Sequence, residues 1–511
     1  MSDAAIIPFK GRPPQPPLEI ELKFQFEPGA AGALEAALAV LGGASQAKTL
    51  ISAYYDDADE SLRRAAFTLR VREVGGGFVQ TIKCAAEGAL FSRGEWETAT
   101  PDRAPDIAAA RHTPLAKVLD KAGPLRPAFA SGIERLERTI AYGGGEIEIA
   151  LDKGEVEADG GRRAPVCQLE LELKHGDPDL LFRLARTLMV QVPLHLSFET
   201  KAGLGYALLS PPPASVKGER PQVRAGMTAG QAFQTVARAA LRQIVANAHI
   251  VRTRRSPEAL HQLRVGLRRL RTAMTLFKSV VTDARSEAVK AELKWLAGQL
   301  DEVRDTDVFT AETYRPGLEA LGAADGVAAL GKRLKQAQTR GYDHALKALK
   351  SRRGSDVALL AAEWIETGEW RARAEAAQAV GGFAEEILNR LDGKMTKGGA
   401  KLARMAAEDR HRVRITVKKL RYGLEFFEGL YSAKRARRFV DSLRAFQDTL
   451  GELNDIAVAR RTAAGLAIAA PAPQVGFAAG LVAGLRAAGE AGALDRAATQ
   501  YRALKVVKRP W

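Results

Sequence analysis

Three charged residues alternate with four apolar ones in "LEIELKF", residues 18–24. Side chains along a strand alternate faces, so Glu19, Glu21 and Lys23 share one face while Leu18, Ile20, Leu22 and Phe24 share the other. The same separation recurs downstream. "FTLRVRE" sets Arg70 and Arg72 against Leu69 and Val71, and "VQTIKC" puts Thr81 with Lys83. "SRGEWE" aligns Arg93, Glu95 and Glu97 against Trp96; "EIEIALD" aligns Glu146, Glu148 and Asp152 against Ile147, Ile149 and Leu151. "CQLELELK" aligns Gln168, Glu170, Glu172 and Lys174 against Cys167, Leu169, Leu171 and Leu173. One such strand fits a sheet with a single solvated face. Faces made almost purely of Glu, Asp, Arg and Lys are better satisfied in a closed barrel, where acids and bases line a lumen and pair with each other or with a ligand. Such carboxylates suit a hard cation such as Mg²⁺, and the Arg and Lys suit the non-bridging oxygens of a phosphate chain.

The elements that must position these residues follow from the rest of the chain. A length of 511 residues exceeds one ordinary core and predicts two or three domains. Between residues 18 and 206, short alternating segments separated by glycine or acidic turns predict an antiparallel sheet or barrel. Residues 1–17 have no continuous apolar core and end in prolines, so a disordered proline-rich tail and no export are expected. "GLAIAAPAPQVGFAAGLVAGL" is interrupted by Pro471, Pro473 and Gln474 and makes a poor membrane span. Cys84 and Cys167, the two cysteines, fall on apolar faces and read as buried fillers in a reducing cytoplasm. His112, His175 and His195 have no metal-ligand spacing and default to structural or surface roles. A proline-rich linker is expected at 209–224. Residues 1–224 hold 27 Lys+Arg against 30 Asp+Glu, and residues 225–511 hold 49 against 30. The basic excess therefore belongs to the second half and implies a polyanion partner: nucleic acid, an anionic membrane surface or a phosphate polymer.

From residue 225 the pattern turns to long helices and repeats itself. "HQLRVGLRRLRT" begins at His261 and "HRVRITVKKLRY" at His411; "QLDEVRDTDV" begins at Gln299 and "TLGELNDIAV" at Thr449, so both pairs are offset by 150 residues. At about 100° per residue, His261, Arg264, Arg268 and Arg271 form one stripe opposite Leu263, Leu267, Leu270, Met274 and Phe277. The second copy sets His411, Arg414, Lys418 and Arg421 against Val413, Val417, Leu420, Leu424 and Phe427. A single basic stripe fits a solvated helix face, but like charges recurring in register repel one another unless something anionic lies on them. Asp305 and Asp455 also recur and read as caps or structural partners.

Both halves resemble known families. "EIELK", followed in order by "LRVR", "QTIK", "ALDKGEV", "LELELK" and "ETKAGLGY", is similar to the CYTH domain, or triphosphate tunnel metalloenzyme family, over residues 18–208. The two histidine-containing segments resemble the CHAD domain over residues 225–511, and the pair together resembles bacterial CYTH–CHAD inorganic triphosphatases. The resemblance implies an α+β multidomain chain: an eight-stranded antiparallel tunnel with flanking helices, then an all-α domain of two pseudo-symmetric bundles. It implies Mg²⁺ or Mn²⁺ held by Glu19, Glu21, Glu170 and Glu172, with Asp152 in the acidic wall. Lys23, Arg70, Arg72, Lys83, Arg135 and Lys201 would clamp phosphates, with Arg138 competing for the role of Arg135; Glu19, Glu21, Lys23, Arg70, Arg72 and Lys83 would be catalytic. Gln168 departs from the family's acidic run. His261, Arg264, Arg268, Arg271, His411, Arg414, Lys418 and Arg421 would bind long-chain polyphosphate.

The expected activity is metal-dependent hydrolysis of inorganic triphosphate, in the cytoplasm, with polyphosphate granules as the place to which the helical half would bring it. An adenylate cyclase or thiamine triphosphatase of the same fold would need an aromatic or base-reading pocket, for which the sequence offers no clear candidate. A non-catalytic granule-binding protein would have lost the metal carboxylates, which are all present. Sequence-specific nucleic-acid binding lacks a finger, RNP or recognition-helix pattern, and aromatics are few at 6%.

Overall fold

The computed structural model describes residues 18–85, 90–322, 325–468 and 472–511; the tail expected at 1–17 lies outside them. The chain divides into two compact units, Met1–Pro213 and Ala214–Trp511.

In the first unit the alternating segments form β1 (Leu18–Gln25), β2 (Ser45–Asp56), β3 (Phe67–Val74), β4 (Gly77–Ala85), β5 (Ser92–Thr100), β6 (Arg126–Tyr142), β7 (Gly145–Ala158) and β8 (Arg162–His175). Their order is β5-β4-β3-β2-β6-β7-β8-β1, all antiparallel, and β1 returns to β5 through Glu19↔Arg93, closing an eight-stranded barrel. The two-residue β9 (His195–Leu196) pairs with the far half of β1. Tight reversals carry the meander: Gly143 and Gly144 join β6 to β7 with φ of 59° and 88°, a conformation that favours glycine.

The outer apolar faces are covered by helices. Leu69, Val71 and Ile82 pack with Leu62 of α2 (Ser61–Arg64), Ala110 of α3 (Ile107–Ala110) and Leu119 of α4 (Ala116–Leu119). On the other side α1 (Ala31–Val40) and α5 (Asp179–Met189) meet, and α5 lies on β8 and β1. The charged faces thus point inward, with one departure from simple alternation. Toward one end the inner face turns apolar: Leu50, Tyr54, Phe129, Ile133, Val156 and Val166 pack with Ala202 and Tyr206 of α6 (Lys201–Leu209). The α6 backbone comes so close to β6 that a Cβ on Gly205 would stand 2.1 Å from the Phe129 ring. The Tyr206 hydroxyl donates to Asp56 at 2.7 Å.

The second unit is helical: α7 (Ala229–Thr253), α8 (Pro257–Leu276), α9 (Lys278–Val281), α10 (Ser286–Gln299), α11 (Asp301–Phe309), α12 (Arg315–Leu321), α13 (Asp325–Lys350), α14 (Arg352–Thr367), α15 (Ala374–Ala377), α16 (Val380–Gly399), α17 (Ala407–Phe426), α18 (Ala433–Ile468), α19 (Pro473–Ala487) and α20 (Glu490–Lys505). One bundle is built from α7, α8, α10 and α14, and the other from α16, α17, α18 and α20. The repeat is exact in α8 and α17, whose ends differ by the same 150 residues, and looser elsewhere, since α10 and α11 break at Leu300 where α18 runs on. Phe277 and Phe427, equivalent under that offset, are fully buried against each other with ring centroids 5.5 Å apart. Equivalent residues in mutual contact place the pseudo-twofold axis between α8 and α17.

Residues 214–224, read from composition as linker, are laid onto this helical unit. Asn247 donates to the Val216 carbonyl at 2.8 Å and accepts from its N–H at 2.9 Å; Arg269 donates to the Glu219 carbonyl at 3.0 Å; Val223 is 1% exposed. Cys84 and Cys167 lie on the outer face as their parity requires, but each is half-buried, a correction to the expectation of buried fillers. His112 and His175 are exposed and His195 is buried in β9.

The placement of 214–224 yields a prediction. A helical fragment beginning at 225 loses the burial of Val223 and strands the side chain of Asn247, so it should be less stable than one beginning at 214 by about 3 kcal/mol. Urea unfolding of the two fragments measures this; equal midpoints would return the segment to the status of a linker.

Candidate active site and basic cluster

Pairing register decides which charges meet inside the barrel. Glu21 stands opposite Glu172, Lys23 opposite Glu170, Glu148 opposite Glu172, Asp152 opposite Gln168 and Arg135 opposite Asp152. All of these except Asp152 and Gln168 surround, with Arg70, Arg72, Thr81, Lys83, Arg93, Glu95 and Lys201, a cavity of 640 Å³. Every tunnel residue expected from the sequence lines it except Asp152, which is fully buried behind the wall.

Asp152 receives both Nε and Nη2 of Arg135 at 2.7 Å and Nζ of Lys201 at 2.6 Å. Burial alone would raise its pKa, but Lys201 and Arg135 hold it below the ordinary carboxylate range. Its expected place among the metal ligands is therefore corrected: it anchors two cations, with no exposed oxygen. Glu170 is pinned likewise by Arg135 at 2.7 Å, Lys201 at 2.9 Å and Lys23 at 3.1 Å, and against burial those cations keep its carboxyl well below the usual value. Arg138 faces the other way, donating to the carbonyls of Leu38 and Gly42, so Arg135 takes the lumenal role. Gln168 accepts from Lys201 at 3.2 Å and adds no further negative charge to this crowded anchor.

Nearer the β1–β5 seam the balance reverses. Glu19 is pushed up by burial, which Lys83 opposes and the charges of Glu21 and Glu95 reinforce; Glu172 is pushed up by burial and by Glu19 and Glu148. Glu21, nearly buried, is kept low by Lys23 and Arg93 despite its burial. Carboxylates crowded enough to repel one another, on three adjacent strands, are hard oxygen donors suited to a divalent cation. Among the described residues no three of them already converge as a ready-made cage; their oxygens are turned to Lys83 at 3.2 Å, Arg93 at 3.1 Å and Lys174 at 2.7 Å.

The opposite wall has cations to spare. Among the described residues Arg70 and Arg72 have no carboxylate within ion-pair distance. Arg72 donates to Ser52 at 3.2 Å, and its pKa is drawn down to about 10 by burial and by Arg70. The Nε of Arg70 is buried without a hydrogen-bond partner among the described residues. Tyr54 lies between them and Lys201; burial opposes ionisation of its phenol, but Arg70, Lys201 and Arg72 outweigh that and hold it below the ordinary value. Sequence reading left Tyr54, Glu148, Arg93 and Lys174 out of the site. Parity had placed the last three on charged faces, whereas nothing local marks Tyr54.

In the helical unit, the pseudo-twofold brings the two stripes together. Arg268 and its equivalent Lys418 are neighbours, joined by Arg264, Arg414 and Arg421. Burial and then Arg268 and Arg414 draw Lys418 down to about 7; burial and then Arg304, Arg268 and Arg264 draw His261 down to about 4, so its ring is neutral at pH 7. The basic cluster is partly answered from within: Arg264 pairs with Asp301 and Arg421 with Glu425, while Arg268 donates to the Tyr422 hydroxyl at 2.9 Å. Arg271 lies one turn further along α8, half-buried, and His411 is exposed with Nδ1 2.8 Å from Oδ1 of Asn454. Arg304 escaped sequence reading because its counterpart under the repeat is Asn454.

A closed antiparallel barrel with a charged lumen, followed by a duplicated helical bundle with a shared basic seam, defines the class. The chain belongs to the CYTH and CHAD domain families, whose models match residues 17–206 and 235–464 respectively. A solved CHAD domain from the plant Ricinus communis is 30% identical, with a TM-score of 0.51 over 58% of this chain and 98% of that one. The protein PptA from Streptomyces chartreusis is 20% identical over 54% of this chain and 99% of that one, with a TM-score of 0.43. An inorganic triphosphatase of Haemophilus influenzae is 28% identical over 158 residues, 30% of this chain and 44% of that protein, so the match spans less than half of that relative. Among the described residues no helix is long and apolar enough to cross a membrane.

The buried anchor generates a prediction with a defined pH course. In Lys201→Met, Asp152 and Glu170 lose a cation they need, and the barrel should be less stable by about 3–5 kcal/mol at pH 7. Both acids titrate lower folded than unfolded, so their stabilisation is present above the unfolded pKa of about 4 and fades as pH falls through the folded values. The gap between variant and wild type should therefore narrow below about pH 4 in denaturant titrations. A gap unchanged from pH 7 to pH 3 would contradict the assignment.

Proposed function

We propose that the barrel hydrolyses inorganic triphosphate with Mg²⁺ or Mn²⁺ and that the helical unit holds long-chain polyphosphate. The observation that carries the first part is the split lumen: two guanidiniums without carboxylate partners among the described residues face a wall of mutually repelling carboxylates. Phosphate oxygens satisfy the first and a divalent cation the second. The name of the Haemophilus influenzae relative supports the same reading. Among the described residues that line the cavity Tyr54 is the one aromatic, and it is 3% exposed, which favours an inorganic chain over a substrate with a base to be stacked.

Glu19, Glu21 and Glu172, with Glu148 beside them and Glu170 behind, would hold the cation. Bound there, it supplies Lewis-acid neutralisation of phosphate oxygens and a more acidic water. Arg70 and Arg72 receive the phosphate chain, and Lys83 and Lys23, already between carboxylates, hold it in line. Arg135 and Lys201 are committed to Asp152 and Glu170, so they fix the back of the site and present only their remaining N–H groups. No covalent nucleophile is required.

Polyphosphate binding rests on the seam where, among the described residues, Arg268, Arg414 and Lys418 meet without a carboxylate at ion-pair distance. A polymer of repeating charge suits such a seam, and its binding should weaken steeply with salt.

Two outcomes test this reading. Glu19→Gln with Glu21→Gln should abolish metal-dependent phosphate release from triphosphate while the fold, followed by circular dichroism, is retained; wild-type turnover would remove the metal site from these residues. Because burial and neighbouring acids raise Glu19 and Glu172, metal-dependent activity should begin to fall on the acid side above the ordinary carboxylate pKa of about 4.3. In the helical unit, Arg268→Glu with Arg414→Glu should weaken polyphosphate binding by roughly a hundredfold while leaving triphosphate turnover unchanged. Equal affinity for duplex DNA of matched charge would favour nucleic acid as the polyanion.

A further inference from the structure

The duplication predicts two equal grooves beside the two histidines, and the structure makes them unequal. In the first copy, charged and hydrogen-bonded side chains stand near His261. Arg304 of α11 is close enough for its charge to oppose protonation of the ring, and Asp307 accepts from Gln338 at 2.6 Å and from Tyr342 at 3.2 Å, both on α13. There α13 sits so close that a Cβ on Gly341 would stand 2.9 Å from Val303. In the second copy, 150 residues on, Arg304 is replaced by Asn454 and Asp307 by Ala457. The long cation and its acid are gone together.

What remains between α17 and α18 is a cavity of 430 Å³, within the roughly 300–1,000 Å³ of small-molecule sites. Leu450 and Leu453 form an apolar floor; His411, Arg414 and Arg461 stand on the wall. The Nε of Arg414 is buried with no hydrogen-bond partner among the described residues. Nδ1 of His411 donates to Asn454, which fixes the ring. Glu490, at the start of α20, accepts from Arg410 at 3.0 Å and from Arg460 at 3.2 Å and so ties α17 and α18 across one end. Glu408 is the one acid among the described lining residues.

We propose that this cavity is a binding site for a nucleoside diphosphate, with the phosphates at Arg414, His411 and Arg461 and the base or sugar over Leu450 and Leu453. An inorganic phosphate chain gains nothing from an apolar floor, and Glu408 repels it. A ligand with one charged and one organic end uses both parts, and Glu408 can accept from its hydroxyl or amino groups. The site is independent of the reading of the tunnel but shares Arg414 with the polyphosphate seam.

The test uses the full chain carrying Arg70→Ala and Arg72→Ala, so that phosphates cannot be held by the tunnel guanidiniums. A fluorescent N-methylanthraniloyl-ADP is bound and then displaced by ADP or by pyrophosphate, which carries the same diphosphate without the nucleoside. ADP should displace it at least roughly tenfold more tightly than pyrophosphate. Ala457→Trp, an exposed position that fills the cavity, should weaken probe binding by about tenfold or more, and Asn454→Arg, which restores the first copy's arrangement, should do the same. Equal displacement by pyrophosphate would show a merely basic surface and overturn the proposal. So would probe affinity unchanged in Ala457→Trp with native circular dichroism, or probe binding lost with the tunnel arginines alone.

Discussion

The tunnel depends on the ionic anchor at Asp152. A fully buried carboxylate is tolerable only when its charge is answered at hydrogen-bond distance, and here Arg135 supplies two bonds and Lys201 a third. Those partners come from different places in the chain: Arg135 from the neighbouring strand β6, Lys201 from the first residue of α6. The anchor therefore fixes α6 inside the barrel as well as the charge. Around it the lumen sorts itself, with Tyr206, Phe129 and their apolar neighbours on one side and the open acid and guanidinium walls on the other.

That sorting explains why two residues of the same type behave differently. Arg135 and Arg70 both face the lumen, but Arg135 is held by Asp152 and Glu170 while Arg70 has no ion-pair partner among the described residues. Glu170 and Glu172 are two positions apart on one face of β8, but cations hold Glu170 low whereas neighbouring acids help raise Glu172. The lumen is thus polarised along β8 itself: carboxylates near the anchor are held low by several cations, and those farther from it are crowded by like charges.

The helical unit shows the same economy by symmetry. Contact between Phe277 and Phe427 sets the axis, and the axis brings Arg268 beside Lys418. A stripe that would be a solvated face on one helix becomes half of a seam when its copy is rotated onto it. Burial and mutual repulsion then depress Lys418 and His261, which marks the seam as the place where an added anion would relieve most.

Much of this was legible in the sequence. Period-two alternation placed Glu19, Glu21, Lys23, Arg70, Arg72, Lys83, Glu170 and Glu172 on charged faces, because a strand's side chains alternate whatever surrounds it. The constant offset of 150 residues found the duplicated helices, because equal spacing survives folding. Tertiary structure alone decided that Asp152 is an anchor without an exposed oxygen, that Arg135 and not Arg138 turns inward, and that Tyr54 belongs to the lumen. Each depends on register with a neighbouring strand, set by residues far off in sequence. It also decided that residues 214–224 are part of the helical unit and that the two histidines of the repeat differ. Composition reads those prolines as a linker, and a local motif reads His261 and His411 as equals; only the residues packed against them, Asn247 in one case and Arg304 or Asn454 in the other, determine what each becomes.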